Sequence, residues 1–158
     1  PAATWSVADA ELCCDSPVEL KHRKLTRSLH RALVDRHLQP DSQERRQIEA
    51  LLKAPWDWAD LTGVKMNGED KELLWRYRFA LTKDNKALTK CLISVDWSCP
   101  HEVEQAVDLL GEWEKLSTID MNDALQLLSA HFTHPKVRMA AARRVAIADD
   151  QTIVGYLL

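Results

Sequence analysis

From residue 41 to the end of the chain, apolar residues recur at three- and four-residue spacing in run after run, and a helix starter or breaker stands between most of the runs. Asp41 with Glu44 three residues on reads as a capping box, and Ile48, Leu51 and Leu52 then mark one face of a helix that ends before Pro55. Residues 56–68 read as a loop. The next helix starts near Asn67 and presents Leu73, Leu74, Tyr77 and Leu81 on one face and Trp75 and Phe79 on another, so two neighbours are expected to cover it. Asp84 is expected to cap a third helix whose inner side carries Ala87, Leu88, Cys91, Leu92 and Val95. Ser98 is expected to cap a fourth, with Val103, Ala106, Val107, Leu110 and Trp113 as its stripe; Pro100 is tolerated there because first-turn N–H groups have no intrahelical acceptor. A fifth starts at Ser117 or Asp120 and buries Met121, Ala124, Leu125 and Leu128, with Leu125 expected fully inside. A sixth opens with Thr133, His134 and Pro135 and aligns Val137, Ala140, Ala141, Arg144, Val145 and Ala148, its alanines allowing close helix approach. Asp149 or Asp150 starts a seventh.

Four glycines and six prolines leave long stretches free of helix breakers, which argues against a turn-rich β-sandwich. The expected fold is all-α: an α-solenoid of stacked antiparallel helix pairs of the ARM or HEAT kind over residues 41–158, its last helix cut short. An irregular basic connector, residues 1–40, precedes it, punctuated by Pro1, Pro17 and Pro40, although Leu25, Leu29 and Leu33 allow a short amphipathic helix. With 158 residues, one domain is the expectation. No apolar run is long enough to span a bilayer and no apolar segment follows a basic start, so a soluble, intracellular segment is expected. The chain opens at Pro1 without an initiator Met and stops inside the apolar run Ile153, Val154, Tyr156, Leu157, Leu158, which reads as a piece of a longer protein.

Net charge is −3, so no global field favours nucleic acid. The stretch from Lys21 to Arg36 nevertheless holds six basic residues (Lys21, Arg23, Lys24, Arg27, Arg31, Arg36) against one acid, Asp35. It has the charge to meet lipid or RNA phosphates, but no aromatic residue stands in it to stack on single-stranded bases, and a solvated or partner-facing connector is the simpler reading. Cys13, Cys14, Cys91 and Cys99 contain no CxxC pair, so reduced thiols are expected rather than a zinc site. Cys99, His101, His131 and His134 make an imaginable metal set, yet Cys99 and His101 are two apart on a helix and face different ways. Asp35-Arg36-His37 imitates a kinase catalytic loop but is followed by Leu38, Gln39 and Pro40, without the downstream Asn or any Gly-rich phosphate loop. Asp149 and Asp150 read as helix-start charges. Trp75, Trp97 and Trp113 read as packing residues, and Trp56 and Trp58 as interface candidates. No catalytic, cofactor-binding or metal-binding residue is therefore assigned. On these grounds alone a helical scaffold, a free-standing HEAT-like adaptor and a helical nucleic-acid module all stay open.

Motifs in order along the chain carry a resemblance. Leu74-Trp75-Arg76-Tyr77-Arg78-Phe79-Ala80-Leu81, Lys86-Ala87-Leu88-Thr89-Lys90-Cys91-Leu92 and Val95-Asp96-Trp97 are followed by Gln105-Ala106-Val107-Asp108-Leu109-Leu110-Gly111-Glu112-Trp113. Asp123-Ala124-Leu125-Gln126-Leu127-Leu128-Ser129, Val137-Arg138, Ala148-Asp149-Asp150 and Tyr156-Leu157-Leu158 come next. Together they resemble the helical accessory domain of phosphatidylinositol 3-kinases. The run from Lys86 to Leu92 with Val95 and Trp97, and Lys21-His22-Arg23-Lys24-Leu25 with Arg27-Ser28, resemble the class III enzyme. The resemblance implies a parent that makes phosphatidylinositol 3-phosphate with ATP and Mg²⁺ in autophagy and endosomal sorting, in the cytoplasm and on endosomal and autophagosomal membranes. It implies that this domain lies between a β-sandwich domain and the kinase lobes, in a complex with a regulatory protein-kinase-like subunit and a Beclin-type subunit, and without nucleic acid. It also implies that no ATP, Mg²⁺ or lipid residue falls in this segment. Two departures are a longer, Trp-richer loop at residues 56–68 and Gly155 within the last helix.

Overall fold

The structure, a computed structural model, describes residues 16–22, 31, 34–56, 65–116, 119–148 and 150–157. Among these the secondary structure is helical throughout, as expected. Helix α1 spans Ser42–Lys53 and opens with the expected capping box: Asp41 Oδ1 accepts from the Gln43 and Glu44 N–H groups, both at 2.8 Å, and Glu44 Oε2 accepts from the Asp41 N–H at 3.1 Å. Ile48 and Leu52 are its buried residues. Helix α2, Gly68–Arg76, starts the same way, with Asn67 and Asp70 bonding reciprocally.

The long second helix expected from the sequence is broken at Tyr77, beyond which α3 covers Arg78–Leu81. A side-chain bond accompanies the break. Arg78 Nη1 donates to the Trp75 carbonyl at 2.7 Å, the group a continuous helix would offer to the Phe79 N–H.

Helix α4, Leu88–Ile93, has every residue buried and occupies the centre of the fold. Asp84 does not cap it: its carboxylate accepts from the Lys86 N–H at 2.9 Å in a preceding turn, and Ala87 takes the cap position with no side-chain bond. Cys91 fills core, as expected. Helix α5, Pro100–Lys115, is likewise not capped by Ser98, whose N–H and Oγ both turn to Asp96 Oδ1; Cys99 holds the cap position instead. Pro100 has no N–H to satisfy, so one fewer orphan donor remains. Ala106, Leu109, Leu110 and Trp113 are buried along α5.

Helix α6, Met121–Leu127, is capped by Asp120, which accepts from the Asp123 N–H at 2.7 Å. Its inner face is centred on Ala124 and Leu127, both 0% exposed, and Leu125, expected fully inside, is only half-buried. Helix α7, Pro135–Ile147, starts after His134 and buries Val137, Ala140 and Ala141, which let it approach α6 closely. Helix α8 is Asp150–Leu157. The α6–α7 interface is the most extensive; α4 packs on α2, α5 and α6, α5 also packs on α7, and α1 packs on α2. Helices two apart in sequence are thus neighbours, and their shared faces form one core from Ile48 to Ala141.

Within residues 1–40, residues 17–22 are helical and residues 34–40 are not. The helix allowed at Leu25, Leu29 and Leu33, together with Cys13, Cys14, Trp58, Ser117 and Asp149, lies outside the described residues.

Candidate functional site

Three sequence-level decoys resolve into local structure. Asp35 Oδ1 accepts from the His37 N–H at 2.8 Å and the Asp35 carbonyl from the Leu38 N–H at 3.1 Å, so Asp35-Arg36-His37 is a turn, with Arg36 over the Phe79 ring. Cys99 and His101 sit at the start of α5, His131 and His134 between α6 and α7; His134 stacks on Trp97 at 5.2 Å and His131 meets Phe132 edge-on. No group of three or more His, Cys, Asp or Glu able to hold a metal occurs among the described residues. Burial pushes the Cys91 thiol up to about 12, which leaves it protonated and unreactive. Trp75 and Trp113 are core, Trp97 is half-buried, and Trp56, the expected interface residue, stacks on Phe132.

The chemistry of the domain is concentrated instead in buried charges that tie helix ends together. Lys90, in the middle of α4, places its ammonium against the last carbonyls of α1: Nζ donates to Leu51 O, Leu52 O and Ala54 O at 2.6, 2.7 and 2.6 Å. An ammonium has three donors and all three are used, at the end of a helix where its dipole favours positive charge. Burial lowers Lys90 to about 8, with the Lys86 charge adding to the effect and Asp123 opposing it. Asp123 on α6 is 5% exposed, and its Oδ2 is buried with no hydrogen-bond partner. Burial, then the neighbouring Asp120 charge, raises it to about 7.

A second centre lies where α4 gives way to α5. Glu102, 1% exposed in the first turn of α5, accepts from Arg31 Nε at 2.6 Å, from Arg31 Nη2 at 3.1 Å and from the Asp96 N–H at 2.8 Å. Arg31 Nη2 also donates to the Ser94 carbonyl at the end of α4, at 2.8 Å. Beside them Arg78 is fully buried over the Trp75 and Phe79 rings and donates to Gln105 Oε1 at 2.6 Å; burial lowers it to about 10, Glu102 working against that and Arg31 with it. At the far end, Arg138 donates to Leu128 O, Ser129 O and Phe132 O, and Arg144 Nε to Ile119 O.

Sequence reasoning assigned none of these roles. Two signals stood in plain view, a lysine inside the apolar run from Ala87 to Val95 and an arginine between Tyr77 and Phe79 with Trp75 close by. The arrangement orients helices and holds no nucleophile with a paired base. No helix among the described residues is long and apolar enough to cross a membrane.

The family model for the phosphoinositide 3-kinase family accessory domain (PIK domain) matches residues 36–158. The chain is 43% identical over 154 residues to phosphatidylinositol 3-kinase pik3 of Schizosaccharomyces pombe, covering 98% of this chain and 18% of that protein. It is 40% identical over 153 residues to phosphatidylinositol 3-kinase VPS34 of Arabidopsis thaliana, covering 97% and 18%. Against phosphatidylinositol 3-kinase catalytic subunit type 3 of Caenorhabditis elegans the identity is 35% over 156 residues, covering 97% and 16%. The chain therefore spans less than a fifth of the length of these curated relatives. With a match across the whole helical array and relatives that are phosphatidylinositol 3-kinases, the chain belongs to the phosphoinositide 3-kinase family, as its accessory PIK domain.

Proposed function

We propose that this segment is the helical spine of a class III phosphatidylinositol 3-kinase and that it positions the kinase domain that phosphorylates phosphatidylinositol to phosphatidylinositol 3-phosphate. The observation that carries the proposal is the alignment over nearly the whole segment with proteins named phosphatidylinositol 3-kinase, one of them a type 3 catalytic subunit. The packing supports it: helices two apart in sequence stack on one another, the arrangement from which HEAT-like solenoids are built. We divide the chain into a connector, residues 1–40, and the array, residues 41–158. Exposed Leu116, Ile147, Val154 and Tyr156 offer apolar surface for packing against other domains.

In this reading the segment has no catalytic residue of its own, and ATP and Mg²⁺ belong to the kinase lobes of the parent. Its neighbours are those lobes and a β-sandwich domain of the same chain, within a complex that also holds a protein-kinase-like regulatory subunit and a Beclin-type subunit. That complex acts on endosomal and autophagosomal membranes from the cytoplasm. The test is to isolate the native protein through an antibody to this segment and assay it for ATP-dependent 3-phosphorylation of phosphatidylinositol. Activity in a large polypeptide is expected, with purified residues 1–158 inactive. A short, inactive native protein would overturn the proposal in favour of a free-standing helical adaptor.

A further inference from the structure

The guanidinium of Arg31 does more than neutralise a buried acid. It reaches from the connector into the joint between α4 and α5, where it holds a carbonyl at the end of one helix and a carboxylate in the first turn of the next. Each contact suits the local field, a cation at the negative end of α4 and a carboxylate at the positive end of α5. Glu102 is 1% exposed and the Arg31 side chain 16% exposed, so the pair is sheltered from the screening that weakens surface bridges. Five residues on, the connector touches the array again, with the Arg36 guanidinium 5.1 Å from the centroid of the Phe79 ring that Arg78 also covers. Val34 lies between these two points, with Leu73 and Trp75 across a cleft from it.

We propose that Arg31 and Glu102 form a latch that locks the connector onto the α4–α5 joint, so that whatever precedes the connector is held at a set angle to the helical array. The proposal rests on reading the segment as a spine and adds to it the contact through which the spine is coupled to the preceding part of the chain. Withdrawing Arg31 leaves the buried Glu102 carboxylate with the Asp96 N–H and without its charged partner. That state is costly unless the joint opens to admit water.

The test uses the full-length protein carrying Arg31→Met, Arg31→Lys and the double variant Arg31→Met/Glu102→Gln, read by hydrogen-exchange mass spectrometry. Arg31→Met is expected to speed exchange in residues 34–41 by tenfold or more while α6 and α7 keep wild-type protection. Arg31→Lys, which keeps the charge and loses the two-pronged geometry, should fall between. The double variant removes both charges of the latch, taking from Arg78 the supporting Glu102 charge and the opposing Arg31 charge together, so it keeps the fold testable if Arg31→Met alone unfolds the domain; the latch predicts that residues 34–41 loosen in it too. Unchanged exchange at residues 34–41 in the double variant, or an equal loss of protection throughout α1 to α7, would overturn the latch. Lipid phosphorylation by the same variants addresses the underlying reading separately: a loosened connector with an unaltered rate supports the latch and overturns the positioning role.

Discussion

The sharpest quantitative consequence of the structure concerns Asp123. Its carboxyl is 5% exposed, with one oxygen unpartnered, and burial followed by the Asp120 charge raises it from 3.8 to about 7. The unfolded chain therefore releases this proton near pH 4 and the folded chain near pH 7, so between those values the folded state binds more protons and stability falls as pH rises. Below pH 4 both states are protonated and the contribution is fully present; above pH 7 it is gone. A shift of about three units at 1.36 kcal/mol per unit puts the whole change at roughly 4 kcal/mol as a ceiling. Asp123→Asn replaces the neutral acid by a neutral amide of nearly the same shape and removes the titration. Urea denaturation of the domain at pH 5 and pH 8 should then find the variant more stable by roughly 1.5 kcal/mol at pH 5, already about one unit above the unfolded carboxyl's value, and by up to about 4 kcal/mol at pH 8. Lys90, lowered to about 8 against 10.5 when unfolded, makes stability rise with pH from about pH 8 upward; because the Asp123 charge raises it, this rise begins at a lower pH in Asp123→Asn than in the wild type. Parallel pH profiles for the wild type and Asp123→Asn would refute the reasoning and show that Asp123 is ionised throughout.

Lys90→Met strips three backbone carbonyls at the end of α1 of their donors, and an on-the-order-of 3–5 kcal/mol loss in urea denaturation is expected, with α1 exchanging faster than α7. Leu127→Ala, at a fully buried position, should cost about 2–5 kcal/mol by the same measurement, and Leu125→Ala distinctly less because that side chain is half-buried. Asp41→Ala removes a bonded capping box and should cost about 1 kcal/mol in thermal melts, whereas Ser98→Ala, which caps nothing, should not weaken α5. Cys91 should resist a thiol reagent until the domain unfolds, as followed by mass spectrometry across a urea series.

What was legible in the sequence was what is local. The α1 capping box needs only Asp41, Glu44 and the intervening turn, and the starts of α2, α6 and α7 at Asn67, Asp120 and His134 lie where the pattern puts them. Periodicity also finds Ala106, Leu110 and Trp113 on the inner face of α5, although Val103 and Val107, expected beside them, are only half-buried and Leu109 is inside instead. It cannot find the centre of a face on a seven-residue helix, which is why Leu125 looked deeper than Leu127. Caps failed where a polar side chain had a nearer partner: Asp84 closes its own turn and Ser98 turns to Asp96. The interruption at Tyr77 is accompanied by the Arg78 bond to the Trp75 carbonyl, and the roles of Arg31, Lys90 and Glu102 depend on residues 36 to 71 positions away. No window of local sequence holds the information that places Arg31, Lys90 and Glu102.

The far-reaching contacts share one chemistry, and it bears on what the domain is for. Lys90, Arg31, Arg138 and Arg144 each place a cation on carbonyls at the end of a helix or beside one, from a neighbouring segment rather than from the helix itself. A purely apolar joint of the same volume is often as stable or more so, because removing a charge from water costs several kcal/mol before any contact is made. What the charged joint adds is direction. A leucine in a groove tolerates a slide of part of a turn, whereas an ammonium with three carbonyls, or a guanidinium shared between a carbonyl and a carboxylate, satisfies its donors in one register only. Joints of this kind occur at the end of α1, between α4 and α5 and between α6 and α7, so these helices are set in register as well as in contact. Helices joined that way are held at a defined distance and angle, the mechanical property that the proposed spine role would require and a loosely packed apolar bundle lacks.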